Sequence, residues 1–432
     1  MGLDAGTRRL DCGAVAIDAI DRISNLPSNV IDLIVECLPL HDAARISILS
    51  KAWRDIWLMH PCLVFDNTFF KRLFKYDKQT QAFEVSRAIS NILLVHNGPI
   101  LNFHLSIPRD LPLSPCLDTD FWIRNISNNG VRKLELLNDQ SAYKMPSYFF
   151  SCFQLTHLSL TNCIIDPPHG GGGFTNLLNV ILADVTITAD MSFGTQLKEL
   201  DLRYCIGIEH LGSHFKYNNN LSVVKIFYSG ELDWRLFECI QKAHLLTLVL
   251  KGVSNSRKET ISLNKLVGKM PRISTLFLDD CFLKYLEPGL AILKRPITTL
   301  EKLYLSHVDV GLYDLAHIHH VLCLIRSSPN LRYLYIRLEA KANSSSITDL
   351  WISMVLPNNL ILNQLETVDI LGMVGSEAEF QFIKFLLAST PSLRWIKLKK
   401  HITVDSPHKK LRILQALLLI PRASTSSQII WE

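Results

Sequence analysis

The sequence predicts an α/β fold, with a small N-terminal module of three helices followed by a curved repeat solenoid. The solenoid is expected to carry an inner parallel sheet and outer helices or irregular segments. Three observations lead there. First, an aliphatic, two residues, an aliphatic, one residue and another aliphatic recur with first positions Ile100, Val131, Leu155, Leu177, Leu197, Leu221, Leu245, Ile273, Leu300, Leu331, Leu365 and Leu393. Their separations run from 20 residues (Leu177 to Leu197) to 34 (Leu331 to Leu365), the range of units that each add one strand to a shared sheet. Second, Ile23 to Phe65 has apolar residues at helical spacing, broken by proline. Third, 432 residues with 48% hydrophobic and 20% charged content suit a folded small domain plus an extended array.

Taken in order, residues 1–21 read as a flexible leader. Asp4, Asp11 and Asp18 stand there among small residues, unlike a secretory signal. Pro27 and Ser28 open the first helix, with Val30, Ile31, Ile34 and Leu38 on its apolar side and Pro39 as its stop. Asp42 is expected to cap a second helix from Ala43 to Leu49, with Ile46 and Leu49 apolar. Ser50 caps a third, where Trp53, Ile56 and Trp57 stripe one side before Pro61. A module of about 40 residues cannot bury all this apolar surface alone. Some of it should meet a partner.

This stretch resembles an F-box. The resemblance rests on Leu26-Pro27, Ile31, Ile34, Leu38-Pro39, Asp42-Ala43, Arg45, Ser47, Leu49-Ser50-Lys51, Trp53-Arg54 and Ile56-Trp57, with Pro61 and Leu63 behind. Ala52 stands where plant members usually carry arginine, and His41 where lysine is common. The resemblance implies docking on a Skp-family adaptor and, through it, on cullin and RING subunits of a ubiquitin ligase. The residues it assigns to adaptor binding are Leu26, Pro27, Ile31, Ile34, Leu38, Pro39, Ala43, Ser47, Leu49, Ser50 and Trp53.

The last part is similar to an FBD segment, through Leu365 to Ile370, Gly372, Glu379-Phe380, Phe382 to Leu387, Pro391, Leu393 and the tail Leu414 to Ile430 with Pro421-Arg422-Ala423-Ser424. Together these features resemble the plant F-box/FBD/LRR family. The expected division is a leader at 1–21, an F-box at 22–65, a connecting segment at 66–99, leucine-rich repeats at 100–364 and an FBD segment at 365–432 that continues the array. Phe69, Phe70, Phe74 and Tyr76 in the connecting segment are expected to pack the module against the repeats.

Within the repeats, Cys163, Cys205 and Cys281 each fall three residues after the last aliphatic, where such repeats place Asn or Cys to bond the turn. The ten cysteines include no Cys-x-x-Cys pair, so they read as reduced and structural, in an intracellular protein of the cytoplasm and/or nucleus. Longer spacings leave room for outer helices at Ala316 to Ile325 and Glu379 to Ala388. Pro271, Pro329 and Pro391, each two residues before a first aliphatic, would end a helix ahead of the strand.

No cofactor, metal or catalytic constellation declares itself. The glycines at 170–173 precede Phe174-Thr175-Asn176, not the Lys-Ser/Thr pair of a nucleotide loop. His317, His319 and His320 read as a solvated helix face, since only His317 and His320 share a side. Lys397, Lys399, Lys400, Lys409, Lys410 and Arg412 read as a soluble edge closing the array. With a net charge of only +5, wholesale nucleic-acid binding is not indicated, and no apolar run reaches the length of a membrane span.

The inner face of the curve is the expected recognition surface. Residues between the aliphatics point away from the core, and they include Arg203, Lys225, Phe227, Phe277, Asp279, Tyr304, Tyr333, Tyr335, Arg337, Trp395 and Lys397. Among these, Tyr304, Tyr333, Tyr335, Arg337 and Trp395 form the candidate target-binding group, because aromatics and arginine dominate binding hot spots. The reading is therefore a non-catalytic, substrate-recognition subunit of a cullin ligase. The alternative is a repeat scaffold or receptor whose helices merely cap the solenoid.

Overall fold

A computed structural model describes residues 26–73, 78–109, 117–168, 173–211, 218–227, 246–252, 264, 272–283, 286, 293–308, 315–338 and 361–432. Three helices come first: α1 (Ser28–Glu36), α2 (Leu40–Ile46) and α3 (Lys51–Leu58). The prolines set their starts. Pro27 and Pro39 occupy the N-cap positions, and their carbonyls accept from Val30 and Ile31, and from Asp42 and Ala43. This corrects two expectations: α1 has no side-chain cap, and α2 begins at Leu40, leaving Asp42 inside its first turn. Ser50 caps α3 as expected, its hydroxyl accepting from the Trp53 N–H.

The sequence then enters the sheet earlier than the repeat pattern announced. β1 (Cys62–Phe65) is followed by α4 (Asn67–Leu73) and α5 (Lys78–Val95), then by β2 (Asn102–Ile107), its parallel neighbour. His60 is buried in the place of β1's first aliphatic, ahead of Leu63 and Phe65. That is why aliphatic periodicity alone passed over it. Phe69 and Phe70 pack beneath β1, with the Phe65 and Phe69 rings 5.1 Å apart. Phe74 and Tyr76 lie outside the described residues.

The sheet continues with β3 (Lys133–Asn138), and a side layer is built from β4 (Tyr143–Lys144), β6 (Cys163–Ile165) and β8 (Thr186–Ile187). Interleaved with these are β5 (His157–Thr161), β7 (Asn179–Ala183), β9 (Glu199–Arg203), β10 (Val223–Phe227), β11 (Leu246–Lys251) and β12 (Ile273–Asp279). β13 (Lys302–Val308), β14 (Tyr333–Leu338), β15 (Thr367–Met373), β16 (Trp395–Lys400) and β17 (Gln428–Trp431) complete it. Among the described residues, fourteen strands form one wholly parallel sheet in chain order, once β4, β6 and β8 are set aside. Each predicted repeat supplies one of them; β1 and β17 are the additions.

The reason is burial. The second and third aliphatics of each repeat, such as Leu134 and Leu136, Leu303 and Leu305, or Ile396 and Leu398, are sealed from solvent. Each such side chain contributes about 1.5–3 kcal/mol on burial, and the period of two sends the intervening residues to the opposite face. Outer helices cover the core where spacing allows, at Leu315–Arg326 and Glu377–Ser389. The second starts with a capping box, in which Ser376 accepts from the Glu379 N–H and Glu379 accepts from the Ser376 N–H. Gly372 allows a bulge in β15: at φ +87° a Cβ there would lie 2.7 Å from the Leu338 carbonyl oxygen.

Turn chemistry follows the cysteine reading in part. Asn162, Asp184 and Tyr204 follow the ends of successive strands at positive φ, and Cys163 and Cys205 bury their sulfurs against the strand carbonyls of Thr161 (3.4 Å) and Leu182 (3.3 Å). Cys281 differs, lying half-buried in the helical turn Asp280–Leu283. Burial pushes the thiols of Cys152 and Cys163 up to about 12 and that of Cys205 up to about 11. Native protein treated with iodoacetamide at pH 8 is therefore expected to modify exposed Cys37 and to spare these three. A separate sample alkylated under denaturing, non-reducing conditions should show all ten cysteines as free thiols. Mass mapping checks both, and recovery of stable disulfides would contradict the reduced state.

Candidate adaptor and target interfaces

The helical module sorts its apolar residues into two sets. Ile31, Val35, Leu40, Ala43, Trp53 and Trp57 turn inward and join the core that runs on into Leu63 and Phe65. Ile31, Ala43 and Trp53, which the resemblance assigned to adaptor contact, are thus buried in this chain alone, and support the surface from beneath. Leu38, Ser47 and Ser50 are half-buried, with the Ser47 hydroxyl donating to the Ala44 carbonyl at 2.5 Å. Leu26, Pro27, Ile34, Pro39 and Leu49 face solvent. Two further exposed residues escaped the sequence reading: Leu33 at 60% and Ile48 at 83%, beside Leu49 at 72%. Hydrophobic side chains this open at a turn and on one helix leave apolar area that the chain itself does not cover. Ile48 breaks the helical spacing by falling in the turn after α2, so periodicity gave no signal for it.

The second surface is the open face of the sheet. Neighbouring strands place Phe277, Tyr304, Tyr335, Asp369 and Lys397 in one row across β12 to β16. The Phe277 and Tyr304 rings stack at 3.9 Å with planes 10° apart, and Tyr304 lies 5.3 Å from Tyr333 and 5.7 Å from Tyr335. The four rings therefore make one half-buried platform, with exposed Arg337, Trp395 and Lys397 around it. The structure brings together Tyr304, Tyr333 and Tyr335 as expected. Trp395 stands across β15 from Tyr333, through Thr367. The Tyr333 hydroxyl donates to Asp369 Oδ2, and burial together with this carboxylate raises the Tyr333 pKa, keeping the phenol protonated.

Three expectations for charged residues need correction. Asp279 is buried and serves the backbone, accepting from the Gly252 and Phe282 N–H groups. His320 is buried too, because the helix Leu315–Arg326 packs Ile318, Val321, Leu322, Leu324 and Ile325 into the core, so His320 is not part of a solvated face. The basic cluster is divided: Lys397 and Lys399 project from β16 on the open face, whereas Lys409, Lys410 and Arg412 ride on the helix Pro407–Leu418. β17, not this cluster, is the last strand of the sheet. Most of the glycine run, at 170–172, and the His317 side chain lie outside the described residues.

A three-helix module leads straight into a parallel sheet built from leucine-rich repeats. Residues 23–65 match the F-box domain. An Arabidopsis thaliana F-box/FBD/LRR-repeat protein is 27% identical over 424 residues, covering 95% of this chain and 98% of its own. A second from the same plant is 22% identical, covering 96% and 100%, and a probable FBD-associated F-box protein is 20% identical over the same shares. A solved internalin from Listeria monocytogenes has 12% identity and a TM-score of 0.32, covering 80% of this chain and 94% of its own. Over nearly its whole length the chain is similar to these F-box/FBD/LRR-repeat proteins. F-box proteins are generally substrate adaptors of SCF ubiquitin ligases. No helix among the described residues is long and apolar enough to cross a membrane.

The division of the module into supporting and exposed residues is measurable. Trp53→Ala should cost about 3–5 kcal/mol of module stability, as for other buried aromatics, whereas Leu49→Ala should stay within about 0.5 kcal/mol. Urea unfolding of the full chain, followed by tryptophan emission, tests the contrast. Equal losses for the two would show that Leu49 is not exposed in solution.

Proposed function

We propose that this chain is the target-recognition subunit of an SCF-type ubiquitin ligase, with residues 22–65 held by a Skp-family adaptor and the open sheet face holding a target protein. The observation that carries the first half is uncovered apolar surface in a segment that matches the F-box domain: Leu33, Ile34, Ile48 and Leu49. Partner burial of such residues supplies affinity, while Ile31, Ala43 and Trp53 fix the helices that present them. The mechanism is proximity. A target held near a charged ubiquitin-conjugating enzyme experiences a high effective concentration, and this chain performs no bond chemistry.

The alternative, a scaffold whose helices only cap the sheet, draws on β1, since Leu63 and Phe65 do bind the module into the repeat core. A cap, however, gains nothing from leaving Ile48 and Leu49 in water. Cytoplasm and nucleus are the compartments where such a ligase would act.

Two experiments test the two halves. The Leu26→Ala/Pro27→Ala variant and, separately, Ile48→Ala/Leu49→Ala should each weaken co-purification of the Skp-family adaptor, by ~2 kcal/mol or more for hot-spot residues, with unchanged melting. Full retention of adaptor by both variants would refute the docking surface. Tyr335→Ala should leave adaptor binding and melting unaltered yet reduce capture of ubiquitinated targets; equal capture would remove this ring from the interface.

A further inference from the structure

The ionic side chains of the open face are organised differently in its two halves. Between β2 and β10 they answer one another. His104 and Lys133 meet Glu135 at 2.6 and 2.7 Å, Lys225 meets Glu199 at 2.6 Å, and Arg203 grips Asp201 at 2.7 Å. Burial works to raise the Glu135 carboxyl, yet its contacts with Lys133 and His104 outweigh burial and hold it below its ordinary range. That half is electrically self-contained.

From β14 to β16 the compensation stops. Arg337 and Lys399 flank Leu371 in one row, and Lys397 lies beside Asp369 in the next. All three cations are exposed, and none forms an ion pair among the described residues. Strand geometry puts Lys397 and Lys399 about 7 Å apart, and Arg337 about 10 Å from Lys399. At roughly the Debye length in physiological salt, their mutual repulsion is only partly screened. Two acidic side chains stand in this group of rows: Asp369, turned to Tyr333 through Oδ2 while its Oδ1 is sealed from solvent without a hydrogen bond, and the exposed Glu432, whose backbone flanks Lys399 at the end of β17. Among the described residues neither forms an ion pair with Arg337, Lys397 or Lys399. Three exposed cations without ion pairs among the described residues thus stand directly beside the Phe277–Tyr304–Tyr335 platform, where the ion pairs of the first half have no counterpart.

We infer that the target segment recognised by this face is an extended acidic peptide, with carboxylates on Arg337, Lys397 and Lys399 and an apolar or aromatic side chain on the tyrosine platform. The inference rests on the target-binding role proposed above for the face, and names the chemistry of its occupant. The charge complementarity is specific in spacing. Side chains two apart in an extended peptide are separated by about 6.6–7 Å on one side, which equals the Lys397–Lys399 interval. Arginine adds a planar fork for a carboxylate. A nucleic acid is the poorer fit, because three cations neutralise too few phosphates to hold a strand at physiological salt.

The test is panning of a random dodecapeptide phage library on the full chain, immobilised through an affinity tag so that the result does not depend on the adaptor. Selected peptides should be enriched in Asp and Glu at alternate positions beside a hydrophobic residue, and depleted of Lys and Arg. Their affinity should fall about tenfold or more for Lys397→Glu/Lys399→Glu and for Arg337→Glu, with melting curves unchanged, and should decline with added salt. Peptides rich in Lys or Arg, peptides without charge bias, failure to select any peptide, or equal binding by the reversed-charge variants would each overturn the inference. Displacement of the peptides by a single-stranded oligonucleotide at physiological salt would overturn it in favour of nucleic acid. Adaptor co-purification with the same variants separates the outcomes: peptide binding without adaptor binding sinks the ligase reading alone, while adaptor binding without acidic selection sinks this inference alone.

Discussion

Everything in this structure depends on the parallel hydrogen-bonded ladder that joins one strand per repeat into a single sheet. Its register is fixed because each strand must bury the same two positions. Leu158 pairs with Val180, and Leu160 with Leu182; a one-residue slip would turn both into water and drive Ser159 and Ile181 the other way. The ladder tolerates connections of very different length, since loop closure costs grow only slowly with residue number. Short links leave tight turns with Asn162, Asp184 and Tyr204 at positive φ, and longer ones have room for the helices Leu315–Arg326 and Glu377–Ser389.

The same constraint makes function possible at both ends of the molecule. A period of two frees the residues between the aliphatics, so the face opposite the core is a continuous surface whose composition can vary without harming the fold. Its first half consumes its own charges in ion pairs; its second half stacks rings and leaves cations open. At the other end, β1 welds the F-box helices to the sheet through Leu63 and Phe65. That connection is direct and packed.

Much of this was legible in the sequence, and the misses have identifiable causes. The twelve aliphatic triplets located the corresponding strands because fully buried strand positions accept little except Leu, Ile, Val and Phe. β1 and β17 were passed over because His60 and Ser426 stand at the first position, where an edge repeat bears less stringent packing. Ser50 gave the start of α3 through a local hydrogen bond, whereas α2 was misplaced because Pro39 supplies its first turn with backbone geometry alone, outcompeting the more recognisable Asp42.

By itself, then, the sequence determined the repeat unit, the side of each strand that must be buried and the presence of the F-box, since each depends on residues close together in the chain. Only the tertiary structure decided which of the assigned residues remain accessible. Ile31 and Trp53 lie inward while Ile48 and Leu49 lie outward, through the crossing of α1 to α3 over β1. Likewise Asp279 turned to the backbone and Asp369 to Tyr333, while Arg337, Lys397 and Lys399 form no ion pair among the described residues. Some polar partners lie two residues away, as for Arg203 with Asp201, but others are 26 to 36 residues away along the chain, as for Lys225 with Glu199 and Tyr333 with Asp369. No local pattern encodes such a neighbour; the stacking of repeats does.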